Sequence, residues 1–325
     1  MNFAIIIPAR FASTRYPGKP LALLRGAEGT AKPLVQRSWE CARRVRGAAG
    51  VWVATDDERI ADTVRGFGGQ VLMTAPECRN GTERCADALP QLAGGFDAVV
   101  NLQGDAPLTP AFVVEALVEA LAADQGAVMV TAALRCSPTT YAHLVGDQAA
   151  GRVGGTTVVT TGEGRALYFS KRVIPYVSAT QATIDPDAVR LHLGLYAYRP
   201  EGLAAYMAAP PSKLEAFEGL EQLRFLEAGL PVRVVTFDPV GWDCIELNNP
   251  EDVPEIGLPE GDPVHLPALL VEQLGVGSTS EARRLIQQGG VRVNGEPAPG
   301  LDVPRASLEG ALLQVGKRRF ARLTP

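Results

Sequence analysis

A turn rich in cations follows the first apolar run of the chain. Residues 8–20 read P-A-R-F-A-S-T-R-Y-P-G-K-P and include Arg10, Thr14, Arg15 and Lys19. Guanidinium and ammonium groups form charge-assisted hydrogen bonds with phosphate oxygens, and a glycine lets the backbone approach them closely. The spacing is neither that of a Walker motif nor G-x-G-x-x-G. The sequence therefore predicts a triphosphate site of another kind, and a solvated basic surface loop is the alternative.

A single carboxylate, Asp105, follows another apolar run through Gln103 and Gly104. A carboxylate at the end of a strand often caps a helix or forms a turn. At the same sheet edge as the cation-rich turn, however, Asp105 is a candidate ligand for Mg²⁺, which prefers one or two carboxylates together with substrate oxygens. Nucleotidyl transfer needs such groups and no Ser, Cys or His nucleophile, because the acceptor itself attacks the α-phosphorus.

The elements that must position these residues are apolar runs alternating with amphipathic segments. The apolar runs are rich in β-branched residues, which predicts strands buried on both faces. These runs lie at residues 3–7, 51–54, 70–73, 98–101 and 127–133. The amphipathic segments predict helices at residues 34–45, 57–67, 84–92 and 110–123. The predicted fold class is α/β with an open, mostly parallel, Rossmann-like sheet, in which ligands bind beyond the carboxyl ends of the strands.

Length and composition indicate two folded domains. At 325 residues the chain exceeds what one hydrophobic core usually organises, and its 46 % hydrophobic and 21 % charged residues exclude a disordered protein. The stretch G-L-P-E-G-D-P-V-H at 257–265 has the composition of a linker, so we predict domains at 1–256 and 266–325. Residues from Val264 onward carry a net charge of +3 and the rest carry −8, which favours an anionic partner for the C-terminal domain.

The cysteines and the N-terminus argue against secretion. Five cysteines are scattered without C-x-x-C spacing, so neither a disulfide framework nor a zinc site is expected. The apolar run at 3–7 is too short for a signal peptide or a membrane span. We therefore expect a cytoplasmic protein that does not engage a membrane.

The cation-rich turn resembles the signature of the CMP-Kdo synthetases, the 3-deoxy-manno-octulosonate cytidylyltransferases. Further segments resemble motifs of that family in the same order, and the resemblance spans about residues 3–256. These segments are A-T-D-D-E-R-I at 54–60, N-G-T-E-R at 80–84, N-L-Q-G-D at 101–105, A-L-Y-F-S at 166–170, H-L-G-L-Y-A-Y-R at 192–199 and L-E-Q-L-R at 220–224. The resemblance implies a nucleotidyltransferase-type fold and transfer of CMP from CTP to Kdo or a similar ulosonic acid, with Mg²⁺ and release of pyrophosphate.

The resemblance also implies roles for individual residues. The implied catalytic residues are Arg10, Arg15, Lys19 and Asp105. The implied nucleotide-binding residues are Pro8, Ala9, Arg10, Thr14, Arg15, Lys19, Asn80, Gly81, Thr82, Arg84 and Gln103. The implied acceptor-binding residues are Gln103, Lys171, His192, Tyr196, Glu221 and Gln222. Because side chains alternate along a strand, His192, Tyr196 and Tyr198 are predicted to share one face.

Three positions depart from the family pattern. Asn248 stands where the family has its second metal ligand, so either its amide serves or Asp243 or Glu246 takes over. Ala106 replaces a glutamate after Q-G-D. Lys171 replaces an arginine after Phe-Ser, so a compact ammonium group stands where the family has a planar guanidinium that can bind two oxygens at once. The acceptor therefore stays open between a Kdo-type acid and another small acid, such as phosphonoformate in natural-product biosynthesis.

The last sixty residues predict a small α+β module. Residues 278–281 have the spacing of a capping box, a helix follows to residue 288, and V-R-V-N-G-E at 291–296 predicts a hairpin. The pattern is similar to the RNA-binding domain shared by a ribosomal small-subunit protein, tyrosyl-tRNA synthetases and pseudouridine synthases. Its candidate phosphate contacts are Arg283, Arg284, Arg292, Lys317, Arg318 and Arg319.

Two alternatives concern what this module and the whole chain do. The module is either an RNA-binding domain or a docking or dimerisation module, and a homodimer is expected. An RNA-binding protein with an inactive α/β body is disfavoured, because the cation-rich turn, Gln103 and Asp105 are all present.

Overall fold

The computed structural model describes residues 1–12, 18–25, 30–178, 188–238, 255–274, 276–293, 296–315 and 319–324. The chain divides into two compact units. The first comprises Met1–Ala12 and Val35–Glu246, and the second comprises Ser13–Leu34 and Leu247–Pro325. The predicted boundaries at residues 256 and 266 stay a prediction.

The elements follow in chain order. The strands are β1 (Phe3–Pro8), β2 (Leu23–Arg25), β3 (Ala31–Pro33), β4 (Ala48–Thr55), β5 (Gln70–Met73), β6 (Ala98–Leu102), β7 (Met129–Arg135), β8 (Thr157–Thr160), β9 (Ala166–Ser170), β10 (Arg190–Tyr198), β11 (Val232–Phe237), β12 (Glu255–Gly257), β13 (Val264–His265), β14 (Val291–Val293), β15 (Glu296–Pro297), β16 (Asp302–Val303), β17 (Leu312–Val315) and β18 (Arg319–Thr324). The α-helices are α1 (Leu34–Ala42), α2 (Glu58–Gly66), α3 (Gly81–Ala88), α4 (Ala111–Ala123), α5 (Pro138–Ala149), α6 (Pro200–Ala208), α7 (Lys213–Glu218), α8 (Leu223–Glu227), α9 (Leu266–Leu274) and α10 (Thr279–Gln287).

The first unit is built on one large sheet with the order β11-β7-β10-β6-β1-β4-β5. The pairs β1 with β4, β1 with β6, β4 with β5 and β11 with β7 are parallel. Strand β10 lies antiparallel between β6 and β7, and β8 and β9 extend the sheet from β10. Because β1, β4 and β6 run in the same direction, Pro8, Thr55 and Leu102 end at the same edge of the sheet.

The sequence explains why these elements form. Strands β1 and β6 are apolar except for Asn101 and almost fully buried, as parallel strands covered on both faces must be. Helices α2, α3 and α7 begin at Asp57, Asn80 and Ser212, and each of these side chains accepts a backbone N–H of the first turn. The predicted open α/β fold is therefore confirmed. Each predicted strand and helix of the first unit is found, with ends shifted by at most a few residues.

The second unit contains the C-terminal module with a core of its own. Helices α9 and α10 pack with a sheet of order β12-β18-β17-β14-β15. As the capping-box spacing predicts, the Ser278 hydroxyl accepts the Glu281 N–H and starts α10. The predicted hairpin is found as the antiparallel pair of β14 and β15. Leu258 and Val264, which lie in the predicted linker, are buried in this core.

Candidate active site

The ends of β1 and β6 meet the start of α3 at a close contact. A Cβ atom on Gly81 would lie 3.0 Å from Asn101 Nδ2 and 3.3 Å from both Gln103 Nε2 and Pro8 Cγ. A Cβ on Gly104 would lie 3.0 Å from the Pro8 carbonyl oxygen. Any side chain at either position would press on its neighbours, so glycine favours the close approach of the three segments. Pro8, Gly81 and Gln103, all predicted to bind the nucleotide, are brought together here.

Asn80 holds the turn that leads into α3. Its side-chain oxygen accepts the Glu83 N–H at 2.9 Å, and its amide nitrogen donates to the Tyr206 hydroxyl at 2.9 Å and to Glu215 Oε1 at 3.2 Å. The Thr82 hydroxyl pairs with the Tyr198 hydroxyl at 2.7 Å. The side chains of Asn80 and Thr82 are therefore both fixed by hydrogen bonds.

The buried guanidinium of Arg224 holds the same turn in place through ion pairs. Its side chain is 2 % exposed, and its guanidinium binds both carboxylate oxygens of Glu215 at 2.7 Å and Glu83 Oε1 at 3.1 Å. It also stacks on the Tyr206 ring, 4.1 Å from the ring centre. Although burial alone would raise it, the pKa of Glu83 is held below its usual value by hydrogen bonds from Arg79 and Arg224.

Other predicted nucleotide-binding and catalytic residues are placed as follows. Arg10 is exposed, and its guanidinium donates to the Arg79 carbonyl at 3.3 Å. Arg84 is buried, where it donates to the Thr74 hydroxyl and pairs with Asp56 at 3.3 Å. Asp105 is half-buried and follows β6. These contacts give Arg84 a part in fixing α3, and its role in nucleotide binding stays a prediction.

The predicted acceptor side is an aromatic face of β10. The rings of His192 and Tyr196 are 5.5 Å apart, and Tyr196 stacks on Tyr198 at 5.8 Å, so these side chains share a face as predicted. The Tyr196 hydroxyl donates to Gln222 Oε1 at 3.3 Å. Burial lowers the pKa of His192 to about 3, so the ring is neutral at pH 7.

Glu221 joins the acceptor side to the nucleotide side. Its Oε2 accepts the Thr82 N–H at 3.2 Å. Desolvation raises the pKa of Glu221 to about 7, although the N–H groups of Thr82 and Gly81 oppose the rise. The carboxyl group therefore titrates near neutral pH at the point where the two predicted subsites touch.

Lys171 is positioned through Glu218. The Glu218 carboxylate accepts the Lys171 backbone N–H at 3.0 Å and the Ser170 hydroxyl at 2.8 Å. The Lys171 ammonium lies over Gly219, where a Cβ atom would come within 2.8 Å of Nζ. Gly219 has a φ of 62°, a left-handed conformation that favours glycine there.

Comparison with known proteins places this geometry in a family. The cytidylyltransferase family model matches residues 4–234. The chain belongs to the cytidylyltransferase family. A 3-deoxy-manno-octulosonate cytidylyltransferase of Maricaulis maris (strain MCS10) is 44 % identical over 252 residues, which cover 78 % of this chain and 94 % of that protein. An 8-amino-3,8-dideoxy-manno-octulosonate cytidylyltransferase of Shewanella baltica (strain OS155 / ATCC BAA-1091) is 37 % identical, with coverages of 78 % and 96 %.

A solved structure supports the same family. CMP:2-keto-3-deoxy-manno-octonic acid synthetase complexed with CTP matches with a TM-score of 0.65 and 33 % identity, over 77 % of this chain and 94 % of that one. The predicted membership in the CMP-Kdo synthetase family and the predicted nucleotidyltransferase fold are confirmed. The protein is an enzyme, a cytidylyltransferase. An S4 domain model matches residues 266–298, as the resemblance of the C-terminal module to an RNA-binding domain predicts.

Several supporting residues of the cytidylyltransferase site were not found from sequence. Glu215, Glu218 and Tyr206 come from α6 and α7, which carry no motif that the sequence analysis used. Thr131 and Asn101 sit inside apolar strands, and a polar residue there is the one available signal. A buried polar side chain in an otherwise apolar strand needs a partner, and this need points to a structural or functional contact.

Some predicted residues lie outside the described part of the chain or in the second unit. Thr14, Arg15, Asp243, Glu246 and Asn248 are outside the described residues, as are Lys317 and Arg318. Lys19 begins a short 3₁₀ helix of the second unit after Gly18, whose φ is 70°. Among the described residues no three His, Cys, Asp or Glu side chains cluster closely enough to hold a metal ion. No described helix is long and apolar enough to cross a membrane.

The basic residues of the C-terminal module are partly described. Arg283 and Arg284 are exposed on α10, and Arg292 is exposed on β14. Arg319 is the first residue of β18. Helix α10 and strand β14 are in contact, so the three exposed arginines belong to neighbouring elements of one module.

Proposed function

We propose that this cytidylyltransferase transfers CMP from CTP to 3-deoxy-manno-octulosonate or a closely similar ulosonic acid, with Mg²⁺ and release of pyrophosphate. The observation that carries the proposal is the meeting of Pro8, Gly81 and Gln103 at one sheet edge, with Asp105 two residues beyond Gln103. The acceptor is supported by the relatives that carry this acid in their names. The nucleotide is supported by the matched synthetase complexed with CTP.

The donor set of the site fits magnesium. Mg²⁺ prefers one or two carboxylates and completes its shell with phosphate oxygens and water, and the half-buried Asp105 at the proposed phosphate-binding edge can supply one carboxylate. When bound, the ion neutralises the charge that develops on the phosphates. Asp105 would hold it, and Asn248 or Asp243 would supply the second ligand.

The protein's own residues contribute by positioning the two reactants and by binding the charged phosphates. An oxygen of the acceptor attacks the α-phosphorus in line, the bond to the bridging oxygen breaks, and pyrophosphate leaves. Arg10, Arg15 and Lys19 bind the departing phosphates, and the turn at 80–82 orients the cytidine. Fixing both reactants in this geometry removes much of the entropic barrier, and no general base is assigned.

The acceptor subsite is the neutral aromatic face of β10 with the start of α8. His192, Tyr196 and Gln222 present hydrogen-bonding groups among rings, which suits a molecule with many hydroxyl groups. Lys171 supplies a positive charge for the acid group. Phosphonoformate, the competing acceptor, carries no alcohol hydroxyl and would offer this face fewer hydrogen-bonding groups.

A pyrophosphate-release assay with CTP and Mg²⁺ tests the proposal. Kdo, its 8-amino analogue, sialic acid and phosphonoformate are compared at equal concentrations. We expect the highest kcat/KM with Kdo or its 8-amino analogue. A preference for phosphonoformate would overturn the acceptor, and no release with any acid would favour the RNA-binding protein with an inactive body.

Replacing the proposed metal ligand tests the chemistry. Asp105→Asn should lower turnover about a hundredfold or more, in line with the cost of losing one well-placed electrostatic group. The matched control is Asp62→Asn, which neutralises an exposed carboxylate on α2. Turnover of Asp105→Asn within threefold of the wild-type rate across a Mg²⁺ titration would show that the metal assignment is wrong.

We also propose that the C-terminal module contacts RNA phosphates. The supporting observations are the S4 domain match and the exposure of Arg283, Arg284 and Arg292 on adjoining elements. Binding should weaken steeply with salt, because phosphate contacts release counterions. The competing docking or dimerisation role needs no such salt dependence.

Fluorescence anisotropy of the full chain with a short structured RNA separates these roles. Changing the three arginines together to alanine should abolish binding and leave CTP turnover unchanged. A control variant changes three exposed arginines of the first unit. They are Arg43, Arg44 and Arg65. Equal loss of binding in the two variants would show that the attraction is nonspecific and would favour the docking role.

A further inference from the structure

A single buried hydroxyl holds the predicted acceptor-binding histidine. Thr131 lies on β7 and is fully buried, and its Oγ1 is 3.0 Å from His192 Nε2. The same oxygen is 2.7 Å from the Leu195 carbonyl oxygen. Between Leu193 and Tyr196 the pairing of β10 with β7 shifts its register, so Thr131 ties the irregular part of β10 to the neighbouring strand.

Counting hydrogens assigns the direction of each bond. A carbonyl oxygen cannot donate, and 2.7 Å is the usual O–H···O distance, so the single Thr131 hydrogen points at Leu195. If it pointed at His192 instead, two oxygen atoms would face each other at 2.7 Å with no hydrogen between them. The Thr131 oxygen can then only accept from the ring, which places a hydrogen on Nε2 of His192.

The other ring nitrogen is left to accept. Burial keeps the pKa of His192 far below neutral, so the ring carries one hydrogen, and that hydrogen is on Nε2. Nδ1 therefore has a lone pair, and it has no hydrogen-bond partner among the described residues. The ring is packed between Phe169 at 5.0 Å and Tyr196 at 5.5 Å, so it cannot turn freely to exchange its nitrogens.

We infer that Thr131 is a positioning residue that fixes His192 as the Nε2–H tautomer, so that Nδ1 accepts a hydrogen bond from an alcohol hydroxyl of the acceptor. The inference rests on the proposed function, in which His192 faces the acceptor. The acceptor must therefore carry a hydroxyl that can donate a hydrogen bond, because an acid without one leaves Nδ1 unpaired. By fixing the tautomer of His192, the Thr131 hydroxyl favours polyhydroxylated acids over phosphonoformate.

Nitrogen NMR of the wild-type enzyme with ¹⁵N-labelled histidine tests the tautomer without any substitution. We expect His192 to show a protonated Nε2 and an unprotonated Nδ1 at pH 7. A protonated Nδ1 would overturn the inference. The NMR measurement needs no catalytic turnover, so its outcome is independent of the pyrophosphate-release assay that tests the proposed function.

Substitution of Thr131 tests the consequence for the acceptor. Thr131→Val keeps the shape of the side chain and removes the hydroxyl, and Thr131→Ser keeps the hydroxyl. We expect Val to raise the KM for Kdo about tenfold, the loss of one hydrogen bond, with the KM for CTP changed less than twofold. Ser should restore the KM for Kdo to within about threefold. Equal rises in both KM values, or no rescue by Ser, would indicate a purely structural role.

A cycle with modified acceptors locates the partner of Nδ1. Kdo analogues in which one hydroxyl at a time is replaced by hydrogen are assayed with the wild-type enzyme and with Thr131→Val. One analogue should lose about tenfold in kcat/KM with the wild-type enzyme and less than twofold with the variant, because the two changes remove the same bond. If every analogue loses the same factor with both enzymes, His192 does not depend on Thr131 for recognition. Should Thr131→Val fail to fold, Thr131→Ser and the wild-type spectrum still decide.

Discussion

The two sides of the candidate site are held by different forces. The nucleotide side, defined as residues 80–84 with their supports, rests on buried ion pairs around Arg224. The acceptor side, defined as residues 192–198 with Gln222, rests on stacked rings and neutral hydrogen bonds. Both are buried, with Arg224 2 % and His192 8 % exposed, so exposure does not explain the difference.

The difference fits what each side is proposed to bind. A nucleoside triphosphate carries a large charge, and strong, directional ion pairs hold the turn at residues 80–84 in place against it. A polyhydroxylated acid exchanges many weak hydrogen bonds, and neutral groups such as His192 and Gln222 can trade partners without a large desolvation cost. We expect a single substitution to cause a large loss of stability on the nucleotide side and a small loss on the acceptor side.

The largest effect is expected from Arg224→Met. The change leaves the buried Glu83 and the half-buried Glu215 carboxylates without their common partner, which should cost about 3–5 kcal/mol in the free energy of unfolding. It should also raise the KM for CTP, because Asn80 shares Glu215 with Arg224. Urea denaturation and steady-state kinetics measure both.

A surface pair provides the control for that variant. Arg46 binds both oxygens of Glu115 with geometry similar to that of Arg224 on Glu215, but its side chain is 87 % exposed. Arg46→Met should lose little stability, since solvent screens an exposed pair. Comparable losses in the two variants would mean that burial does not set the strength of the nucleotide side.

The elements of this site were predictable where a local pattern encodes them. Runs such as residues 3–7 and 98–101 are apolar on both faces, and this alone specifies buried parallel strands. The Ser278 and Glu281 spacing encodes a helix start within one turn. The carboxyl ends of β1 and β6 then coincide by the rules of parallel sheets, so Pro8, Gln103 and Asp105 could be assigned to one edge.

The supports of the site were not predictable, because their partners are distant in sequence. Arg224 and Glu83 are 141 positions apart, and Asn80 and Glu215 are 135 apart. No local pattern reports that an arginine in a helix will be buried between two acids. Likewise, the pKa values of Glu221 and His192 depend on burial, which is a property of the finished fold.

Titration gives an intermediate effect that compares the two subsites at their junction. The folded-state pKa of Glu221, about 7, lies above its unfolded value, so ionisation costs stability as pH rises from about 4.3 to 7. Glu221→Gln should therefore gain stability relative to wild type as pH rises through this window, by at most about 1.4 kcal/mol per pH unit. Thermal or urea unfolding at several pH values measures the difference.

The histidine of the acceptor side should show the opposite sign. The pKa of His192 is about 3 in the folded state, below its unfolded value, so its contribution to stability is lost as pH falls from about 6.5 towards 3. His192→Asn should therefore gain stability relative to wild type as pH falls through that window. Slopes of the same sign for the two variants would contradict a raised pKa at Glu221 together with a lowered pKa at His192.

The smallest effect is expected from Tyr196→Phe on the acceptor side. The change removes the hydroxyl that donates to Gln222 Oε1 at 3.3 Å, and it should cost about 1 kcal/mol in the free energy of unfolding. Tyr168→Phe is the control, because its hydroxyl is 3.5 Å from Glu218, at the limit of a hydrogen bond, and should cost less. If Tyr196→Phe destabilised the enzyme as much as Arg224→Met, a neutral hydrogen bond would contribute as much to stability as the buried ion pairs. That large loss would come from the hydroxyl and not from packing, since the ring stack of Tyr196 on Tyr198 survives the change and the hydroxyl does not.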